Sequence, residues 1–273
     1  MKIEKAKRLT SRKFKRMTGV SRRTFELMVD VVKADEKKKK KPGRPKLVIE
    51  NQVLMVIQYG REYRTYYHIG LDWGLSESAV CRAVFKIENI LISSSKFSLP
   101  GKKELLKMSS QSDLVVMDVT ESPIERPKKG QRKFFSGKQG EHTLKTQVVI
   151  HQKSSQIICL GHGLGKMHDF RLFKTSGVRL VELLKVIADK GYQGISKIHQ
   201  LSETPVKKLK GKKLTKELKK YNRNLNRLRI VVEHVNRRLK IFNILSNRYR
   251  NRHRRFGLRS NLIAGIYNYE LAL

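Results

Sequence analysis

The stretch "LVVMDVT", residues 114–120, places a carboxylate directly after four apolar residues. A continuous apolar run of this kind is typical of a strand that is buried on both faces. A buried carboxylate without a partner is costly, so Asp118 must lie near a strand end, pair with another group or bind a cation. Asp118 by itself does not distinguish these three possibilities.

Two further apolar segments follow this strand and predict a small sheet. "TLKTQVVI" (143–150) and "QIICLGHG" (156–163) are joined by the short "HQKSS", so the three segments predict an antiparallel meander. A helix around 169–175 and a short strand within "LVELLKVIADKGY" (180–192) come next, before a basic segment and a long helix. Strands followed by mixed helices and strands predict an α/β domain with a mixed sheet and flanking helices.

The chain before this domain has only helical patterns. Apolar spacing predicts two short helices within 9–32, capped by Thr10 or Ser11 and by Ser21, and another helix around 50–62. Between them, "KADEKKKKKPGRPK" (33–46) is charged and punctuated by Pro and Gly, which predicts a mobile linker. Its Arg44 could enter the narrow minor groove of A·T-rich DNA, although a plain solvated linker explains the same composition.

The segment "YYHIGLDWGLSESAVCRAVFKIENIL" (66–91) has the layout of a helix-turn-helix. A short helix ends near Trp73, Gly74 permits a tight turn and Ser76 caps a second helix. Two helices joined by a glycine turn also occur in many all-α domains. The second helix would turn Ala79, Val80, Ala83, Ile87 and Ile90 inward and present Glu77, Ser78, Arg82 and Lys86 outward.

These patterns together predict four parts of the chain. They are an N-terminal helical segment (1–35), a basic linker (36–46), a helix-turn-helix region (47–95) and an α/β domain (110–273).

The charge of the chain indicates a polyanionic partner. Its 61 Lys and Arg against 23 Asp and Glu give a net charge of +38, which favours nucleic acid as the partner. An anionic membrane is the rival, but no apolar run approaches the roughly 20 residues of a membrane span and the N-terminus has no hydrophobic secretion segment. The 39% hydrophobic content favours a folded core over a basic tail. Cys81 and Cys159 have no metal-ligand spacing and suggest a reducing compartment.

Two acids besides Asp118 are candidate functional residues. Asp189, in "VIADKGYQG", follows a predicted strand and precedes a Gly turn, as both ligand-binding acids and ordinary turn residues do. Glu233 lies one step from an apolar helical stripe, with Arg229 four residues before it and Lys240 seven after it. The stripe consists of Leu225, Leu228, Val232, Val235, Leu239 and Phe242.

Glu233 has two explanations on this pattern alone. An Arg229–Glu233 ion pair one helical turn apart fits the helix. Alternatively, Asp118, Asp189 and Glu233 converge and bind Mg²⁺, while neighbouring cations hold phosphates.

The segments "MDVTESPIERPKKGQRKFFSGKQGEHTLKTQVVI", "GHGLGKMHDFRLF", "ADKGYQGI" and "VEHVNRRLKIF" occur in this order between residues 112 and 242. As a set they resemble the DDE transposases of bacterial insertion sequences, in the group related to Harbinger-type nucleases. The resemblance implies an RNase H-like fold whose three acids bind two divalent metal ions. By position in these motifs, the catalytic and metal-binding acids are Asp118, Asp189 and Glu233.

The family signature around the third acid is Tyr-x2-Arg-x3-Glu-x6-Lys. Arg229, Glu233 and Lys240 match it, whereas Asn226 stands at the Tyr position, which puts the role of that Tyr in doubt. We therefore expect Arg229, Lys240 and Arg237 to contact DNA phosphates. From the helix-turn-helix layout and the linker composition, we expect Ser78, Arg82, Lys86 and Arg44 to bind DNA elsewhere.

The function implied is Mg²⁺-dependent cleavage and strand transfer of DNA, with Mn²⁺ able to substitute. The expected partners are terminal inverted repeats and target DNA, with the protein acting as a homodimer on DNA in the bacterial cytoplasm, at the nucleoid. A solitary or domesticated nuclease, or an inactive DNA-binding relic or regulator, is the alternative.

Three residues have competing interpretations within this scheme. Asp169 could serve as the second acid instead of Asp189, but we expect it to cap a helix. His142 and His168 could act as general bases, but metal activation of water needs no histidine, so we expect structural or substrate-loop roles.

Overall fold

The computed structural model describes residues 2–38, 47–108, 113–208, 211, 213–251 and 253–273. The chain forms two compact units. The first comprises Met1–Ser98, Leu239–Asn247 and Arg255–Leu273, and the second comprises Leu99–Arg238 and Arg248–Arg254. The predicted four-part division stays a prediction, and its residues 39–46, including Arg44, lie outside the described residues.

The first unit is helical. Its helices are α1 (Ile3–Lys7), α2 (Ser11–Thr18), α3 (Arg22–Lys37), α4 (Ile49–Glu62), α5 (Tyr66–Trp73), α6 (Glu77–Ser93), α10 (Asn243–Ser246) and α11 (Phe256–Leu271). The side chains of Thr10, Ser21 and Ser76 accept backbone N–H groups at the starts of α2, α3 and α6, as the sequence predicts. Within the described ranges, no helix is both long and apolar enough to cross a membrane.

The predicted linker begins too early. Helix α3 extends through Lys37, so residues 33–37 are helical. Two ion pairs hold this last part of α3, from Lys33 Nζ to Glu50 Oε1 at 2.6 Å and from Lys86 Nζ to Glu36 Oε1 at 2.7 Å. The charges that suggest a solvated linker therefore also stabilise the end of a helix.

Helices α5 and α6 form the expected pair around a glycine turn. Gly74 has φ +66°, which favours glycine, and a Cβ at Gly70 would lie 2.5 Å from the carbonyl oxygen of Leu75. The inner face of α6 is rotated relative to the prediction. Its buried residues are Val80, Val84, Ile87, Glu88 and Leu91, whereas Ala79, Ala83 and Ile90 are only partly buried.

The buried glutamate of α6 ties the C-terminal helix α11 to this unit. Glu88 Oε1 lies 2.7 Å from Arg259 Nε, and Glu88 Oε2 lies 2.9 Å from Arg255 Nε. Arg259 is 2% exposed, so this ion pair is shielded from water. A buried carboxylate is tolerated only with such partners. The C-terminal segment is therefore part of the helical unit.

The second unit contains a mixed sheet and confirms the predicted α/β fold class. Its strands are β1 (Leu114–Pro123), β2 (Phe135–Ser136), β3 (Glu141–His151), β4 (Ile157–Leu164), β5 (Lys185–Ala188) and β6 (Ser202–Glu203). Strands β1, β3 and β4 form the predicted antiparallel meander. Strand β2 pairs with the start of β3, β5 runs parallel to β1, and β6 runs parallel to β5.

Three helices of this unit have the bounds α7 (Gln131–Phe134), α8 (Asp169–Thr175) and α9 (Lys216–Leu239). In α9, Leu225, Val232, Val235 and Leu239 are buried as predicted. Leu228 is 37% exposed, however, and Val231 is buried instead. The helix ends at Leu239, so Phe242 and Lys240 follow it rather than continue it.

We expect Arg259→Met to destabilise the helical unit, because it removes one partner of buried Glu88. The free energy of unfolding should fall by roughly 3 kcal/mol, the low end for breaking a buried ion pair, since Arg255 remains. Urea denaturation measures this change. Arg23→Met, at an exposed position of α3, is the control and should change stability by less than about 0.5 kcal/mol. Equal stability of the two variants would contradict a structural role for the buried pair.

Candidate active site

The parallel register of β1 and β5 brings two acids together. Met117 is the residue opposite Ala188 at the last position of this pairing. Asp118 and Asp189 are the next residues along the chain, so both lie at the carboxyl end of the parallel pair, where ligand crevices form in such sheets. Asp118 is not at the end of its own strand, because β1 continues to Pro123 against β3.

Arg229 of α9 joins these two acids. Its Nη2 lies 3.0 Å from Asp189 Oδ1 and 3.5 Å from Asp118 Oδ1. The side chains are largely withdrawn from water, with 16% of Arg229, 20% of Asp118 and 31% of Asp189 exposed. The Nε of Arg229 is buried without a hydrogen-bond partner in the described part of the chain. One guanidinium therefore compensates two carboxylates and is itself incompletely satisfied.

The pKa of Asp118 is raised to about 6, chiefly because burial disfavours the charged carboxylate. Arg229 lowers this pKa, while the negative charge of Asp189 raises it, and that of Asp169 adds to the rise. The fold thus holds Asp118 at a place where neighbouring positive charge does not fully balance the negative charge of its ionised form. A carboxylate with a raised pKa is typical of functional sites, and a cation between the two carboxylates would supply the missing positive charge.

Glu233 is one helical turn beyond Arg229, so the two residues share a side of α9. Its side chain is exposed and forms no ion pair or hydrogen bond with any other described residue. The alternative Arg229–Glu233 ion pair is therefore wrong, because Arg229 turns to Asp118 and Asp189 instead. Within the described ranges, no three His, Cys, Asp or Glu residues lie close enough together to hold a metal ion.

Asp169 does not cap α8, contrary to the expectation from the sequence. His168 is the N-cap of α8, with Nδ1 accepting from the N–H of Phe170, and Asp169 is the first helical residue. Asp169 Oδ1 instead lies 2.8 Å from Nζ of Lys145, a lysine inside the sheet. The same Nζ lies 3.7 Å from Glu121 Oε1, and Glu121 is directly opposite Lys145 on β1.

The ion pair of Asp169 and Lys145 adjoins the turn that carries Asp189. A Cβ at Gly191 would lie only 2.3 Å from Asp169 Oδ2, so the backbone of the turn packs directly on that carboxylate. The turn is also closed by a hydrogen bond from Tyr192 N–H to the carbonyl of Asp189. The buried hydroxyl of Tyr192 donates to Gln147 Oε1 at 3.2 Å. Sequence reasoning missed Lys145, whose only signal is a lysine within the apolar run of β3.

The remaining predicted site residues are placed as follows. Ser78 and Arg82 are exposed on α6, and Lys86 is partly buried in its ion pair with Glu36. Arg237 is exposed near the end of α9, and Lys240 is exposed in the first unit. His142 lies on β3, where its ring makes an edge contact with Phe135 at 5.7 Å.

The sequence matches two family profiles and two relatives. Residues 117–268 match the family of DDE superfamily endonucleases, and residues 45–97 match the helix-turn-helix of DDE superfamily endonucleases. The chain is 87% identical to a probable transposase for insertion sequence element IS702 from Microchaete diplosiphon, over 100% of this chain and 99% of the relative. It is 26% identical to a protein named for insertion sequence element IS112 of Streptomyces albus G, over 84% of this chain and 83% of the relative. No solved structure matches the chain.

We expect Asp118→Asn to stabilise the metal-free protein at neutral pH. The folded pKa of about 6 lies above the ordinary value of 3.8, so folding penalises the ionised carboxylate above pH 6. The neutral amide removes this penalty and should raise the free energy of unfolding at pH 7 by about 1–3 kcal/mol. The gain should shrink as the pH falls from 6 towards 3.8. Urea denaturation in EDTA at several pH values measures it, with Asp30→Asn as an exposed control. A variant less stable than the wild type at pH 7 would contradict this account.

We expect Gly191→Ala to disturb the turn of Asp189, because the added methyl group would overlap the Asp169 carboxylate. Overpacking of this kind costs about 1–3 kcal/mol. Gly137→Ala is the matched control, since a Cβ there has no neighbour within 4 Å. Thermal unfolding compares the two variants, and equal midpoints would show that the packing of Asp169 on Gly191 does not hold the turn.

Proposed function

The chain belongs to the DDE superfamily endonucleases, and we propose that it is a DNA transposase that binds the ends of an insertion sequence and cleaves and joins DNA strands. The observation that carries this proposal is the pair of Asp118 and Asp189 at one sheet end, bridged by Arg229 of α9. The match to an insertion-sequence transposase relative over the whole chain supports the same reaction class.

The acid pair fits a divalent cation by the chemistry of its donors. Mg²⁺ is bound by one or two carboxylates together with phosphate oxygens and water, and Mn²⁺ accepts similar oxygen ligands. The raised pKa of Asp118 supports this proposal, because a cation would stabilise the charged carboxylates better than one shared guanidinium. When bound between these acids, two such ions would activate water and stabilise charge on the attacked phosphate.

Glu233 is proposed as the third ligand. Its exposed carboxylate has no competing partner among the described residues, so it is free to change rotamer when a cation and DNA bind. Its place on α9, one turn after Arg229, keeps it on the side of the helix that reaches the acid pair. In this proposal Glu233 therefore completes the site only when a cation and DNA are bound.

Three cationic residues have a separate role in this proposal. Arg229 would be released from the carboxylates if a cation bound them, and it would then orient a phosphate group, because its guanidinium has an N–H without a partner among the described residues. Arg237 and Lys240 are exposed and contact the DNA backbone. Asn226 is also exposed, so a shorter polar side chain at the signature Tyr position does not open a hole in the core.

DNA recognition is assigned to the helix-turn-helix. Exposed Ser78 and Arg82 lie at the start of α6, where recognition helices contact base edges in the major groove. Lys86 would have to leave Glu36 to reach DNA. Because two ends must be joined to one target, we propose that the protein acts as a homodimer on terminal inverted repeats and target DNA, at the nucleoid in the cytoplasm.

Asp118→Asn should abolish divalent-cation-dependent nicking of DNA that contains the element ends, while DNA binding persists. The assay compares Mg²⁺, Mn²⁺ and Ca²⁺, with gel-shift titration as the binding measurement. Asp113→Asn, at the start of the same strand region, is the control and should nick normally. Undiminished nicking by the Asp118 variant would overturn the site.

A second assay supplies pre-cleaved element ends together with a target plasmid. A transposase joins the two, whereas a solitary nuclease gives no joined product. A wild-type chain that binds DNA without any nicking would be a DNA-binding relic.

A further inference from the structure

A basic stripe runs along the solvent face of α9. It consists of Lys219, Lys220, Arg223, Arg227, Arg237 and Arg238, and all six side chains are exposed. At about 1.5 Å per residue the stripe is about 28 Å long, close to one turn of B-DNA at about 34 Å. Exposed Ile230 and His234 lie between its two halves, and no acid interrupts it on this face.

The six cations have no internal partners. In the described part of the chain none of them forms an ion pair or a side-chain hydrogen bond. Neighbours three and four residues apart, such as Lys219–Arg223 and Arg223–Arg227, repel one another and destabilise the helix. If a polyanion were bound along this face, the same cations would stabilise the helix instead of destabilising it. The stripe is thus complementary in charge and length to the backbone of a nucleic acid.

The position of the stripe on α9 relates it to the acid pair. With about 100° per residue, the buried side of α9 is opposite the stripe. Arg229 lies at one edge of the buried side, where it contacts Asp118 and Asp189. Glu233 lies between Arg229 and the stripe. A strand that follows the stripe therefore reaches the acid pair by crossing the position of Glu233.

We propose that this stripe is a binding surface for double-stranded DNA, which holds the phosphate backbone along α9 independently of the helix-turn-helix. The proposal deepens the proposed function, because it assigns a second DNA contact next to the acids. Its occupant is duplex DNA held through its phosphates, because the stripe matches the charge of that backbone and is close in length to one turn of the duplex.

The test replaces three stripe residues in the full-length protein, Lys220→Gln, Arg223→Gln and Arg227→Gln. The matched control replaces three exposed lysines of the same unit, Lys128→Gln, Lys129→Gln and Lys138→Gln, with the same change in net charge. Dissociation constants for a DNA duplex are measured from 50 to 200 mM salt in EDTA. Because each phosphate contact contributes about 0.9 to the slope of log K against log salt, the stripe variant should lose between about two and three. Circular dichroism confirms that both variants are folded.

An equal loss of slope in both variants would overturn the proposal, because net charge alone would then explain binding. An unchanged slope in the stripe variant would also overturn it. A loss seen with duplex RNA but not with duplex DNA would assign the surface to RNA instead. Since EDTA removes divalent cations, the result does not depend on cleavage, and a failure of the nicking experiment would leave it intact.

Discussion

The parallel pairing of β1 with β5 is the constraint on which the candidate site depends. Its last matched residues are Met117 and Ala188, and the register leaves Asp118 and Asp189 side by side where the pairing ends. Burial is the main cause of the raised pKa of Asp118, and the negative charge of Asp189 raises this pKa further. Arg229 lowers the cost of ionising these acids by contacting both of them.

Several polar groups around this pair have partners of their own. Asp169 and Glu121 share Lys145, and Tyr192 is satisfied by Gln147. Asp118 and Asp189, in contrast, share the single guanidinium of Arg229, which belongs to a helix whose outer face is strongly basic. That combination favours a phosphate backbone near the acids together with a small cation between them.

Local patterns were sufficient for much of this structure. The apolar runs of β1, β3 and β4, the caps Thr10, Ser21 and Ser76, and the glycine turn at Gly74 depend on residues close in sequence, so they were predictable. Partners that are distant in sequence were not. The pattern of the helix alone allowed an Arg229–Glu233 ion pair, whereas the sheet provides Arg229 with two partly buried acids. In the same way, Glu88 was not expected to be buried, because its partners Arg255 and Arg259 come more than 160 residues later.

Binding of Mn²⁺, measured by electron paramagnetic resonance on the full-length protein without DNA, tests the central claim most directly. The claim is that Asp118 and Asp189 form a cation site that Arg229 occupies in the metal-free protein. We predict that the wild type and Asp113→Asn bind Mn²⁺ with similar affinity, while Asp189→Asn loses at least about tenfold, because even the loss of a residue that only supports a metal ligand costs about 10–100-fold. Equal binding by Asp189→Asn and the wild type would contradict the account.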